Sequence, residues 1–295
     1  MRRKEKRERV KRTEGKSRRK GRIVLSVLLV LVILFAGYTV VDDLTVNVNT
    51  YEYYDDNLPL LFYGYRIMLV SDFHNSVYSG QIAKKINREK PDLVLFLGDM
   101  TTLPNNDTNH FMDLLNRITV DVPIYGVLGN HEEFSSRKED LIRQFAGTKM
   151  KLLNNESIII ERDGAALKLV GVKDIQMEDD QVKDSWDLEQ IRDYLKGELT
   201  GSYYTILACH RANMYPYLSD LKADLMLSGH VHGGVVRLPV IGGVFDGDGG
   251  FLPDYDSGLY TESDMAMFVT RGSDLILSRP RINNGPEIVN FVLKK

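Results

Sequence analysis

The chain has 295 residues, 43% of them hydrophobic, enough for a sizeable core in one large domain or two small ones. Its one cysteine, Cys209, excludes an intrachain disulfide and a thiolate metal cluster. The formal charge of −3 is unevenly divided: residues 1–22 hold thirteen Lys/Arg against three Glu, about +10, which leaves about −13 on the rest. So acidic a body argues against nucleic acid as a partner, because phosphate backbones need a basic face.

Behind the basic segment, Ile23 to Val41 run for nineteen residues without a charge. A helix of that length spans roughly 28 Å, close to the thickness of a hydrocarbon core. The Lys/Arg excess keeps 1–22 in the cytoplasm and sends the remainder across. The stretch is longer than a usual secretory signal core and no small-x-small cleavage site follows, so a signal anchor is expected rather than a cleaved signal. The twin arginine in "SRR" (17–19) is followed by Lys20, Gly21 and Arg22, where a twin-arginine signal would be apolar. The expected organisation is a cytoplasmic tail (1–22), a transmembrane anchor (23–41), a linker with a first strand (42–57) and one domain (58–295).

Residues 42–57 alternate apolar and polar around Leu44, Val46 and Val48, the pattern of a strand. Beyond Leu58 the runs 66–72, 92–99, 123–130, 168–174, 204–210 and 224–230 predict buried strands. Between several of them 80–90, 109–118, 136–146 and 187–196 predict amphipathic helices. Such alternation predicts an α/β domain. Residues 233–262, rich in Gly, predict a short strand and then a long loop.

Five of the six strands supply, at their ends or within two residues, the side chains read here as candidate metal ligands. They supply Asp72 and His74, Asp99, Asn130 and His131, His210, and His230 with His232. In α/β folds the carboxyl ends of the strands line one edge, where ligands bind, so these residues are expected to converge. In extended backbone, positions i and i+2 face the same side. Asp72 and His74 would then share a pocket while Phe73 packs away, and His230 and His232 would do so while Val231 turns inward. The sixth histidine, His110, is read as an exposed helix residue.

The series "SDFH", "LGDM", "GNHE", "ACH" and "SGHVHGG" resembles the calcineurin-like metallophosphoesterase family in order and rough spacing, from about Leu58 to the C-terminus. The stretches "LPLLFYGYRIMLVSDFH", "KLLNNES", "SGHVHGGVVRLP" and "RPRINNGPEIV" are most similar to the membrane-associated bacterial branch resembling UDP-2,3-diacylglucosamine pyrophosphatases. The resemblance implies a four-layer αββα sandwich of two mixed sheets with a dinuclear metal site. It implies that Asp72, His74 and His232 hold one divalent ion, that Asn130, His210 and His230 hold the other, and that Asp99 bridges them. It places His131 over the leaving-group oxygen as the catalytic residue.

An all N/O ligand set suits Mn, Fe or Zn. Two such ions can generate a metal-bound hydroxide and clamp a phosphoryl group for in-line attack, while a neighbouring imidazole protonates the departing oxygen. Glu132 is read either as orienting His131 or as a plain surface acid. The chain departs from the family at "MTTLP" after Asp99, where many relatives carry an acid that supports the active-site His. It departs again at "RAN" after His210, where a proline is common; Arg211 is read either as a phosphate contact or as a surface charge. The apolar side chains of 235–262 are read either as dipping toward the bilayer or an acyl chain, or as folding onto the protein's own core.

The expected function is a membrane-anchored, metal-dependent phosphoesterase that cleaves a phosphodiester or pyrophosphate bond, with a lipid-linked substrate as one candidate, acting as a monomer on the extracytoplasmic side. The alternative is a non-catalytic metal-binding scaffold or sensor on the same fold.

Overall fold

In the computed structural model, which describes residues 23, 25–178, 181–245, 250–274 and 281–295, the chain forms two compact units, up to Asp42 and Asp43–Lys295. The basic segment 1–22 lies outside the described residues. In the first unit the described element is α1 (Leu25–Asp43), an unburied helix long and apolar enough to cross a membrane.

The second unit opens with β1 (Asn47–Tyr54), later than the alternation from Leu44 suggests, and continues through β2 (Arg66–Val70), α2 (Ser79–Glu89), β3 (Leu93–Leu97), α3 (Asn109–Arg117), β4 (Ile124–Val127), α4 (Asn130–Glu133), α5 (Lys138–Ala146) and β5 (Met150–Leu152). Then come β6 (Glu156–Arg162), β7 (Ala165–Val172), the small pair β8 (Met177–Glu178) and β9 (Gln181–Val182), α6 (Ser185–Glu198), β10 (Tyr204–Arg211), α7 (Tyr215–Leu218) and β11 (Leu225–Gly229). The chain ends with β12 (Arg237–Leu238), β13 (Gly242–Gly243), β14 (Gly258–Tyr260), β15 (Ala266–Val269) and β16 (Glu287–Lys294).

Two mixed six-stranded sheets result, ordered β1-β16-β2-β3-β4-β5 and β14-β15-β11-β10-β7-β6. Leu69, Leu95, Leu97, Ile206, Leu225, Leu227, Phe268 and Phe291 fill the space between them. The outer face of the first sheet is covered by α2, α3 and α5, through Ile82, Ile86, Phe111, Leu114, Leu141 and Phe145. The outer face of the second is covered by α6 and α7, through Ile191, Leu195, Tyr215 and Leu218. The helical residues recur at spacings of three and four, which puts them on one helix face. This is the four-layer sandwich expected. The inner strands β3 and β11 are buried at every position, so they are apolar on both faces.

Strands β2, β3 and β4 run parallel, as do β7, β10, β11 and β15. Their carboxyl ends therefore deliver the candidate ligands to one edge of each sheet. Phe73 is buried, 6.2 Å from the Phe111 ring, and Phe111 also meets Phe96 at 5.2 Å and Phe145 at 5.4 Å. Val231 is buried in the outer core of the second sheet. The residues between the paired ligands thus anchor the site loops in the core.

His110 lies in α3 as expected but is half-buried rather than exposed, and its amide donates to Asn75 Oδ1 at 2.8 Å. The long loop carries a hairpin, β12–β13, that its glycine content did not suggest.

Candidate metal centre

The ligand loops are not extended. Asp72, His74, Asp99, His230 and His232 all have positive φ, between 48° and 75°. Left-handed backbone costs a non-glycine residue roughly 1–2 kcal/mol. Hydrogen bonds between the loops offset that cost. Asp72 N donates to Gly98 O at 3.0 Å, His74 N to Asp99 O at 2.9 Å and Asn75 N to Met100 O at 2.8 Å. His230 N donates to the Asp72 carboxylate at 3.1 Å. Asp72 and His74 share one cluster as expected, but the expected sharing between His230 and His232 is corrected. His230 falls in a cluster with Asp99 and His210, while His232 falls with Asp72 and His74. In each cluster the potential ligand atoms lie within 4.8 Å of one another, and a third cluster joins His74, Asp99 and His131. Asn130 joins them through its Oδ1, 3.1 Å from His210 Nε2. All eight residues read from the strand ends converge.

Three imidazoles are oriented alike. His74 Nδ1 donates to Thr101 O at 3.2 Å, His210 Nδ1 to Leu97 O at 2.7 Å and His232 Nδ1 to Asp274 Oδ1 at 3.2 Å. Each ring thus keeps its proton outward and turns Nε2 inward, the arrangement by which outer partners fix a metal-binding tautomer. The Nε2 atoms of His74 and His232 are 3.4 Å apart. Asp99 Oδ2 lies 3.4 Å from His210 Nε2 and 3.7 Å from His74 Nε2. Converging lone pairs around buried carboxylates fit divalent cations. An all N/O set suits borderline first-row metals.

The surrounding charges are strongly perturbed. Burial alone would depress His210, but the Asp99 carboxylate overrides it and pushes the ring up to about 10. Burial pulls His74 down. Burial and then the charge of Asp99 push Glu132 up to about 8.

Glu132 departs from both roles expected of it. It is fully buried, so it is no surface acid, and its bonds go to the Asp99 loop rather than to His131. It accepts from Asp99 N at 3.0 Å, Gly129 N at 3.0 Å and Thr101 N at 2.7 Å, and from Thr101 Oγ1 at 2.9 Å. His131 is held instead by Leu103 N, which donates to its Nδ1 at 2.9 Å. The support for His131 thus comes from a backbone amide and not from an acidic side chain.

Arg211 is not a surface charge. It is buried, with Nε donating to Asp174 Oδ1 at 2.9 Å and Nη1 to His230 Nε2 at 2.9 Å. A guanidinium only donates, so metal ligation through that nitrogen would have to displace the bond. Asp174, Asp274 and Arg281 were missed by the sequence reading. Asp174 closes the run 168–174, so the same strand-end rule could have found it, whereas Asp274 lies five residues beyond the end of β15, out of that rule's reach.

A family model described as calcineurin-like phosphoesterase matches residues 65–234. The chain belongs to that family. Among its relatives, the uncharacterized metallophosphoesterase YkuE of Bacillus subtilis is 26% identical over 247 residues, covering 80% of this chain and 82% of YkuE. Phosphodiesterase YaeI of Escherichia coli is 25% identical over 240 residues, covering 78% and 82%. A transmembrane protein with metallophosphoesterase domain from Danio rerio is 25% identical over 251 residues, covering 81% of this chain and 55% of that protein, so the chain spans about half its length. The family is metal-dependent, and the clustered His and Asp residues could hold its metal. The apolar α1 and the relative named a transmembrane protein suggest a membrane protein.

Proposed function

We propose that the chain is a membrane-anchored dinuclear metallophosphoesterase that hydrolyses a phosphodiester or pyrophosphate bond. The observation that carries this reading is the common orientation of His74, His210 and His232, whose Nε2 atoms converge on Asp72 and Asp99. In it Asp72, His74 and His232 would hold one ion, Asn130, His210 and His230 would hold the second, and Asp99 would serve both. The bound ions supply Lewis acidity and a nucleophilic water at neutral pH. Manganese, iron and zinc are the metals that the donor set suits.

The chain's own residues do the rest. Glu132 ties the amides of Asp99, Thr101 and Gly129 together and so fixes the bridging carboxylate. His131, fixed by Leu103, holds an Nε2 proton for the departing oxygen. The basic segment before α1 supports an extracytoplasmic catalytic unit. The resemblance to UDP-2,3-diacylglucosamine pyrophosphatases supports a lipid-linked substrate, and one tethered monomer suffices for the site.

The test is hydrolysis of bis(p-nitrophenyl) phosphate and p-nitrophenyl phosphate by the full chain in detergent, after chelation and again with Mn²⁺, Fe²⁺ or Zn²⁺. Metal-restored turnover that Asp99→Asn abolishes is the expected result. A chain that binds no metal by elemental analysis overturns the reading.

A further inference from the structure

The catalytic end of the second unit carries an apolar surface that hydrolysis does not use. Beyond His232 the chain forms the β12–β13 hairpin, whose turn is Pro239-Val240-Ile241. Val240 is fully exposed and Ile241 is 62% exposed, while Leu238, Phe245, Phe251 and Leu252 are also exposed. Of the hairpin's apolar continuation only Val244 is buried. The Phe245 and Phe251 rings meet at 5.9 Å, and Leu252 N donates to Val244 O at 2.9 Å, so 251–252 are fastened beside the hairpin. Val240 has φ +73°, a region unfavourable for a β-branched side chain and cheap for Gly or Asn. Bulky apolar groups thus stand in water at a strained tip.

One short strap relates this surface to the point where the chain enters the unit. Asn47 N donates to Pro286 O at 2.7 Å, and Asn47 pairs with Glu287. On the same strap, Arg237 N donates to Ile282 O at 2.9 Å and Ile282 N to Val235 O at 3.2 Å. Strand β16 runs antiparallel to β2, so its start lies at the end of β2 that leads into Asp72. Chain entrance, hairpin and metal site therefore share one end of the unit. Residues 44–46 alone separate α1 from Asn47, a reach of about 14 Å when fully extended. If α1 spans a bilayer, this end is the one kept beside it.

We propose that the β12–β13 hairpin, with Phe251 and Leu252, docks on the lipid bilayer, so that the metal site opens onto phosphoesters presented at the membrane surface. Docking depends on the membrane anchor of the proposed function, and only the substrate class depends on the hydrolase reading. Val240 and Ile241 enter the headgroup boundary, where amphipathic surfaces bury about 5–10 Å deep. Arg237 is paired with Asp256 at 3.0 Å, so apolar burial rather than charge drives the contact. Tyr54, Leu60, Leu61 and Tyr63 form a second exposed apolar set beyond the other end of β1, roughly 26 Å away along eight residues.

The experiment places an environment-sensitive fluorophore on Ile241→Cys, and separately on Asp56→Cys at the far end, in the full chain in phosphatidylcholine nanodiscs. Cys209 is buried and its thiol is pushed up by burial, so labelling is selective. The expected result is blue-shifted emission at 241, quenched by lipid carrying a doxyl group near the headgroup, with neither effect at 56. Solvent-like emission at 241 overturns the proposal. So does a blue shift without lipid quenching, which means cover by protein or a second copy, and so does quenching at 56 alone. Turnover of soluble bis(p-nitrophenyl) phosphate in the same sample reports on the hydrolase reading separately.

Discussion

Nδ1 of His232 lies 3.2 Å from Oδ1 of Asp274, and this contact decides which ring nitrogen of His232 faces the site. Burial alone would raise the Asp274 carboxyl, but the Arg281 guanidinium and His232 hold it well below the usual carboxylate range. This anion favours the His232 proton on Nδ1, against the Arg281 Nη2 donor that lies 3.3 Å from the same nitrogen. Asp274→Asn removes the charge, and metal affinity should fall about 10–100-fold, read by competition with a chromogenic chelator. The same variant leaves Arg281 buried without its counter-charge, so the metal-free protein also melts lower. Arg281→Gln separates the effects: it should share the lower melting temperature and keep most of the metal affinity. Equal loss of affinity in both would mean that Asp274 acts only through the fold.

His131 is expected to act on the leaving group. With Leu103 N donating to Nδ1, the neutral ring carries its proton on Nε2, which lies 3.8 Å from Asp99 Oδ2. His131→Ala should lower kcat by about 10²–10⁴-fold for an alkyl phosphodiester, whose oxygen needs a proton as it departs. The loss should be much smaller for a p-nitrophenyl ester, whose phenolate leaves unaided. Equal losses on both substrates would assign His131 to binding instead.

Gly129 packs directly against the Asp99 carboxylate. A Cβ there would sit 2.2 Å from Asp99 Oδ1 and 2.5 Å from Asp99 N. Its φ of −98° suits alanine, so collision is the only penalty. Gly129→Ala should displace the bridging carboxylate, lower turnover about 10²-fold, and cost about 1–3 kcal/mol of stability. Gly80→Ala, in α2 with nothing within 4 Å of the added carbon, is the control and should be neutral or slightly stabilising.

The strand-end residues were legible because buried strands announce themselves as apolar runs, and their ends are where side chains of another chemistry first appear. Asp72, Asp99, His210 and His230 were found in this way. The conformation of their loops was not legible, since Asp, His and Asn give no glycine-like signal for the positive φ they adopt. Glu132 was misjudged for a related reason. Its neighbour in sequence is His131, but its partners Asp99 and Thr101 come from another strand end. Leu103 could not be found at all, because a backbone amide has no sequence signature. The β12–β13 hairpin was hidden by strands of two residues each, too short to show alternation.

Away from the site, Glu287 should make stability depend on pH. It is buried, and burial alone would raise its carboxyl. Arg271 Nη2 at 2.7 Å, Arg271 N at 2.9 Å and Asn49 Nδ2 more than reverse this and hold it below the usual carboxylate range. A folded pKa below the unfolded value of about 4.3 means that the carboxylate's contribution is complete above that pH. It is lost as pH falls through the folded value. Glu287→Gln removes the carboxylate to which Arg271 donates, and should destabilise the Asp43–Lys295 unit by about 3 kcal/mol at neutral pH. The gap between variant and wild type should narrow as pH falls below about 4. Urea unfolding of the chelated proteins at neutral and at acid pH measures it. A gap that stays constant across that range would mean that Glu287 contributes through packing and not as an ion.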